Sequence, residues 1–379
     1  MIDGFLKKLG EALRDEESRV RFVGRGLAVI RRIVTTLTVL FIASLFLVAL
    51  GLRFVGEHNV TSGFLLYLPR QIFLLPLPFL MVITIPFAWK QVVVQVAAAL
   101  AFVVFAMGWQ FRAAQPEPPK SGLLTLTVLT YNRGENQGQS LQPFKDQIQP
   151  DVIVLQDAPG RAAGYTKAAG YSEFLYAQSV GEFTILSRYP LIGASPVTVV
   201  SNGVPVSIAA RFELDVAGQK VVVFGVHFRS PRDHLRGYWR GAFLYGILGL
   251  PGTPFSEKRQ RLQAWWDDRL SQVDQFRLVI DRETLPVLVA GDFNAPAGGV
   301  VHQRLVKGLS DAHLSAGRGF GFTFPGTTGN PLSLGGPWMR IDYIFAGREW
   351  RVGRCVTEER RQSQHRALAA TFSLPHLQP

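Results

Sequence analysis

Cysteine is nearly absent: the chain of 379 residues holds one, Cys355. A lone thiol excludes an intrachain disulfide and any cysteine-rich zinc site, and Cys355 reads as a small core residue. Charge is scarce too, at 18% of residues against 47% hydrophobic, an apolar balance for a soluble protein. Of the two signs the acidic is rarer, with 28 Asp and Glu against 40 Lys and Arg, for a net charge of +12. That surplus favours anionic surfaces or substrates, whether phospholipid headgroups or nucleic acid. No repeat period is visible, and no small-residue cleavage site of a signal peptide follows the first apolar run.

The apolar excess sits in the first 111 residues. Residues 1–32 are mixed in charge and end in Arg19, Arg21, Arg25, Arg31 and Arg32, a basic segment of cytoplasmic character. From Ile33 to Leu52 runs an uncharged stretch that, at about 1.5 Å per residue, is long enough to cross a bilayer core of roughly 30 Å. A second run, Ile72 to Trp89, contains Pro76, Pro78 and Pro86, which remove backbone donors, so it either spans or re-enters. A third, Val92 to Trp109, follows almost at once. Eight basic residues precede the first span and only Arg53 lies in the loop 53–67, which places the N-terminus inside. Three crossings then put residue 112 onward outside the cytoplasm, whereas two would put it inside. The expectation is a multi-pass cell-membrane protein with a membrane domain over 33–111 (spans near 33–52, 72–89 and 92–109), a stiff Pro-rich linker over 112–122 and an extracytoplasmic globular domain over 123–379.

Within that last part, short apolar strands repeatedly deliver a polar residue at their ends. Leu288 to Ala290 leads through Gly291 to Asp292 and Asn294, and Gly291 is expected to supply the bend. One residue apart on extended backbone, a carboxylate and a carboxamide would face the same side, although a solvated turn would use the same residues. Leu124 to Thr130 delivers Asn132, Val152 to Leu155 delivers Asp157, Val221 to Val226 delivers His227, and Asp342 and His365 flank the last strands. The histidines His234, His302 and His313 have no motif around them, and Trp265 and Trp266 read as core packing.

Thr130-Tyr131-Asn132, Pro150-Asp151-Val152-Ile153-Val154-Leu155-Gln156-Asp157, Ile185-Leu186-Ser187-Arg188-Tyr189-Pro190, Gly225-Val226-His227, Gly291-Asp292-Phe293-Asn294, Arg340-Ile341-Asp342-Tyr343 and Ser363-Gln364-His365-Arg366 stand in this order. In order and spacing they resemble the endonuclease/exonuclease/phosphatase superfamily of metal-dependent phosphoesterases over about residues 124–374. The resemblance implies an α/β fold, a four-layer α/β/β/α sandwich with its site at one edge of the paired sheets, here preceded by the three expected transmembrane helices. It implies Asp292 as the residue that orients or deprotonates the attacking water, with Asn132 and Asn294 beside it. It further implies His365 as a cation on the phosphoryl group, Asp342 as the acceptor that fixes its ring, and His227 as a second imidazole at the phosphate or leaving group. A divalent ion, Mg²⁺ before Mn²⁺ or Ca²⁺, would be held by Asp157, Asn132 and Gln364.

Two positions depart from the family. Asp157 stands where glutamate is usual, and Gln364 where a carboxylate is usual, which removes reach and one negative charge from the metal site. Three readings stay open: a phosphoesterase acting on a lipid or lipid-linked substrate, a membrane-tethered nuclease, and a binding or scaffold protein that keeps the pocket without the chemistry. The partners are then the lipid bilayer and a phosphoester, either a phospholipid headgroup or nucleic acid, with no obligate protein partner. After His227, the arginines Arg229, Arg232, Arg236 and Arg240 precede the apolar segment 241–251, which serves either as a membrane-facing lip or as a loop folded onto its own domain.

Overall fold

The computed structural model describes residues 16–111, 123–134, 140–237, 249, 251–361 and 364–375. The Pro-rich linker 112–122 and most of the apolar insert after Arg236 lie outside the described residues, so the lip is not settled here. The chain divides into two units: residues up to Leu50 with Gln71–Ala106, and Gly51–Arg70 with Met107 onward.

In chain order the helices are α1 (Glu16–Leu50), α2 (Val60–Leu65), α3 (Pro76–Ala88), α4 (Lys90–Phe105), α5 (Gln142–Ile148), α6 (Ala162–Thr166), α7 (Arg232–Gly237), α8 (Ser256–Asp281), α9 (Val300–Val306) and α10 (Ala312–Ala316). The first unit is α1, α3 and α4. Among the described residues two helices are long and apolar enough to cross a membrane, Val20–His58 and Arg70–Ala88, while Lys90–Phe105 is apolar but shorter. The expected three spans are therefore two by length, since the 16 residues of α4 rise only about 24 Å. Pro76 at the helix start sacrifices no hydrogen bond, and Pro86 is carried inside α3. Between the three helices, Gln95 Nε2 donates to Thr38 Oγ1 at 2.8 Å and Thr84 Oγ1 at 2.9 Å. Buried amide and hydroxyl groups must find one another in such surroundings, and here they tie all three helices together.

The second unit carries strands β1 (Leu123–Asn132), β2 (Val152–Gln156), β3 (Tyr176–Val180), β4 (Phe183–Ser187), β5 (Leu191–Ser201), β6 (Val204–Val216), β7 (Gln219–His227), β8 (Val287–Asp292), β9 (Ser310–Asp311), β10 (Asp342–Ala346), β11 (Arg351–Thr357) and β12 (Leu368–Pro375). They form two six-stranded sheets, in the orders β11-β12-β1-β2-β4-β3 and β5-β6-β7-β8-β10-β9. Runs such as Val152-Ile153-Val154-Leu155 are apolar at every position because both strand faces are covered. Val152 and Val154 meet Phe212, Leu288 and Ile344 of the other sheet, while Ile153 and Leu155 turn outward to Phe144 of α5. The second sheet's outer residues Phe224, Val289 and Phe345 pack on Val273 and Phe276 of α8. The layers are thus helix, sheet, sheet, helix, the architecture that the family resemblance implies.

Residues 51–70, read from sequence as part of the membrane domain, fold into this second unit. The buried Glu57 carboxylate accepts from Val300 N at 2.7 Å and Val301 N at 3.5 Å, at the start of α9. Gly63 lies so close to Trp266 that a Cβ there would sit 3.0 Å from the indole, and the Tyr67 ring stacks on the same indole at 5.7 Å. Trp266 is core packing, as expected, but Gly63 and Tyr67, which pack against it, come from the segment between the two long apolar helices.

Candidate active site

The topology brings the strand-end residues together. Strands β1 and β2 run parallel with Asn132 opposite Gln156, and β7 and β8 run parallel with His227 opposite Asp292. Strand β10 runs the other way, so its first residue, Asp342, lies opposite Asp292. His365 stands just ahead of β12, which is antiparallel to β1. All these ends meet at one edge of the two sheets, around a cavity of about 440 Å³ lined by Asn132, Asp157, His227, Asp292, Asn294 and His365, together with Glu182, Arg232 and Gln364.

Asp292 is fully buried at its centre. Its carboxylate accepts from Asn132 Nδ2 at 2.9 Å, Asn294 N at 2.8 Å and Asn294 Nδ2 at 3.0 Å. The two asparagines do flank Asp292, but the corner between Asp292 and Asn294 is not extended backbone. Asn294 sits at φ 46°, a left-handed conformation that asparagine tolerates, and the pair closes an Asx-type turn. Gly291 has a different task from the bend assigned to it. It lies within β8, where a Cβ would fall 1.9 Å from the Val226 carbonyl oxygen of β7, so only glycine lets the two strands pair.

Two imidazoles face Asp292 Oδ2, His365 Nε2 at 3.6 Å and His227 Nε2 at 3.7 Å. His365 Nδ1 is hydrogen-bonded to the Asp342 carboxylate at 3.1 Å. Burial works against its charge, but Asp342 and Asp292 outweigh that and raise its pKa above the ordinary histidine value. For His227, burial is likewise overcome, by the Glu182 hydrogen bond at 3.0 Å and the charges of Asp292, Glu182 and Asp157, and its pKa is pushed up to about 9. Burial makes Asp292 itself more basic than an ordinary carboxylate, with His365 opposing the shift. The arrangement is a buried base clamped by amides between two imidazoles whose surroundings favour the cation, suited to activating water beside an anion.

Glu182 carries no motif and was not singled out in the sequence. It occupies the tight turn between β3 and β4, and oxygens of Asp157 and Glu182 lie with a ring nitrogen of His227 within 4.8 Å of one another. Asp157 leaves β2 at φ 50°, so its side chain departs from the strand direction. Burial raises its pKa, and contact with the Glu182 carboxyl raises it further against the pull of His227. Two carboxylates in contact need a proton or a cation between them, and a hard divalent ion with oxygen ligands meets that need. Asp157 and Glu182 could hold it with the side-chain oxygen of Asn132, Oδ1, which accepts from Gly134 N at 2.8 Å. Gln364 faces the cavity, but its side-chain oxygen accepts from Arg232 Nη2 at 2.5 Å and is thereby turned to a guanidinium. Glu182→Gln is expected to weaken Mn²⁺ binding about tenfold or more by calorimetry, and Gln364→Ala to leave it nearly unchanged.

His302, His313 and His234 are structural. His302 is buried against Asp311 at 3.1 Å, His313 is buried, and His234 stacks on Trp265 at 4.7 Å.

Residues 139–365 match the model of the endonuclease/exonuclease/phosphatase family. No curated protein matches the chain in sequence. Among solved structures it is similar to an endonuclease/exonuclease/phosphatase from Beutenbergia cavernae (19% identity, 66% of this chain and 72% of that one, TM-score 0.44). A family protein from Bacteroides thetaiotaomicron shares 16% identity over 66% of this chain and 98% of that one, at TM-score 0.46. A mannosyl-6-phosphatase of the same organism shares 14% identity over 65% of this chain and 99% of that one, at TM-score 0.45. With more than half of its residues matched by the family model and its strand-end residues gathered at one cavity, the chain belongs to the endonuclease/exonuclease/phosphatase family of metal-dependent phosphoesterases.

Proposed function

We propose that this protein is a membrane-anchored phosphoesterase that hydrolyses a lipid or lipid-linked phosphoester on the extracytoplasmic side of the cell membrane. The observation that carries the hydrolytic part is the clamped carboxylate: Asp292, with no solvent exposure, holds three amide hydrogen bonds and faces two cationic rings. Asp292 takes the proton of the attacking water. Asn132 and Asn294 fix the carboxylate so that it presents one lone pair to that water. His365, held by Asp342, offsets charge on a phosphoryl oxygen, and His227 stabilises or protonates the departing oxygen. A divalent ion at Asp157, Glu182 and Asn132, Mg²⁺ by the hardness of the donors and Mn²⁺ or Ca²⁺ in its stead, would supply Lewis-acid shielding of the phosphate.

Connectivity supports this side of the membrane. Residues 51–70 and 107 onward share one folded unit, so they lie on the same side. Any two-crossing path, whether the proline-rich run re-enters or α4 stops short, would part them, so this reading takes the 16-residue α4 as a short third crossing. With the basic flank inside, the shared side is extracytoplasmic. The net charge of +12 also suits nucleic acid, so the full-length protein in nanodiscs should be offered both phospholipid and single- and double-stranded DNA. Release of phosphate or headgroup from lipid with DNA left intact supports the proposal. DNA cleavage that falls steeply with salt, without lipid turnover, refutes it.

His365 also sets a pH dependence. Burial opposes its charge, but Asp342 and Asp292 raise its pKa and so favour the cation, and activity falls as pH rises through that pKa. Asp342→Asn removes the largest charge favouring the imidazolium, so the alkaline limb of the kcat profile should move to lower pH, and a profile unchanged by the substitution would deny His365 this role.

A further inference from the structure

After β8 the backbone runs through residues 294–297 without regular structure, and its buried carbonyl groups need donors from elsewhere. They find side chains. Tyr67 Oη donates to the Asn294 carbonyl at 2.8 Å, Tyr343 Oη to the Ala295 carbonyl at 2.7 Å, and Arg70 Nη2 to the Ala297 carbonyl at 2.6 Å. Two of these three donors come from the loop between the first two membrane helices. Tyr67 is in turn held in place: its own carbonyl accepts from Trp338 Nε1 at 3.1 Å, and its ring lies on the buried Trp266. It also lines a cavity of about 200 Å³ that shares Ser230, Arg232, Asn294 and Phe324 with the active-site cavity.

Asn294 is the residue through which this matters. Its left-handed backbone persists only where the surroundings hold it. On one side its N and Nδ2 clamp Asp292, with Nδ2 also donating to the Phe228 carbonyl at 2.8 Å, and on the other its carbonyl rests on the Tyr67 hydroxyl. The amide that aims the base and the carbonyl that Tyr67 holds thus belong to one residue. We propose that Tyr67 is a positioning residue of the active site, and that the loop 51–70 is a working part of the catalytic domain as well as a connection between membrane helices.

This rests on the hydrolytic reading above, and the test separates the two. In the full-length protein, Tyr67→Phe keeps the ring on Trp266 and removes only the hydroxyl. With bis(p-nitrophenyl) phosphate and Mn²⁺, it is expected to lower kcat about tenfold and to weaken binding of vanadate, a mimic of the phosphoryl transition state, by a similar factor. KM and Mn²⁺ affinity should stay within about twofold, because Tyr67 acts on the clamp of Asp292 and not on ground-state contacts. Trp338→Phe, which frees the Tyr67 carbonyl, should give a smaller loss of the same kind. A role in stability alone predicts a lower thermal midpoint with kcat and vanadate affinity equal to wild type below it, and that result overturns the proposal. If the wild type turns over no phosphoester, the hydrolytic reading falls, and vanadate affinity in Tyr67→Phe still decides for or against positioning by Tyr67.

Discussion

Asp292→Asn is expected to lower kcat by about 10³-fold, within the range for loss of a positioned general base. The substitution keeps volume and shape but removes the site that takes the proton of water. It also sets an amide against Asn132 Nδ2 and Asn294 Nδ2, which are themselves donors at 2.9 and 3.0 Å. Stability should suffer little, because burial already favours the uncharged form of Asp292. The check is kcat beside the thermal midpoint and Mn²⁺ affinity: lost turnover with retained folding and metal binding marks a catalytic base. A wild type without turnover under Mg²⁺, Mn²⁺ or Ca²⁺ would favour the reading of a binding protein on this fold.

The second large effect concerns truncation. The globular domain as read from sequence, 123–379, lacks Glu57, Tyr67 and Arg70, and with them the partners of Val300 N, the Asn294 carbonyl and the Ala297 carbonyl. It also uncovers the Trp266 face that Gly63 and Tyr67 seal. Three lost polar contacts and an exposed indole are together worth on the order of 5 kcal/mol, or a fall of roughly 10 to 20 °C in thermal midpoint for a domain of this size. Calorimetry of the fragment beside a chain in which residues 51–70 are joined to residue 107 by a Gly/Ser linker measures it. The joined chain should recover the midpoint and the kcat; equal midpoints for the two would mean that the loop contributes nothing.

The strand-end residues are legible because each borders a short apolar run, so its position at the sheet edge follows from where the run starts or stops. Asn132, His227, Asp292, Asn294 and His365 line one cavity, and Asp342 is hydrogen-bonded to His365. Glu182 was not legible: it sits in a two-residue turn whose neighbours say nothing of Asp157 until the two strands pair. The loop 51–70 escaped for the opposite reason. In the sequence Val60, Phe64 and Leu66 belong to a loop joining two apolar runs, and only the tertiary structure shows them buried in the second unit. Gly291 was noticed, but its need for a bare Cα comes from the neighbouring strand.

In the first sheet β1 lies between β2 and β12, and β12 comes from the far end of the domain's sequence. During synthesis β1 therefore waits, one edge unpaired, while nearly the whole domain is made, and His365 arrives only with that closing strand. A nascent chain so arranged is inert, and the hydrolase has no competent centre until its last strand has been made. The same delay leaves an exposed apolar edge during biogenesis, so misassembly at that stage is the hazard this ordering carries.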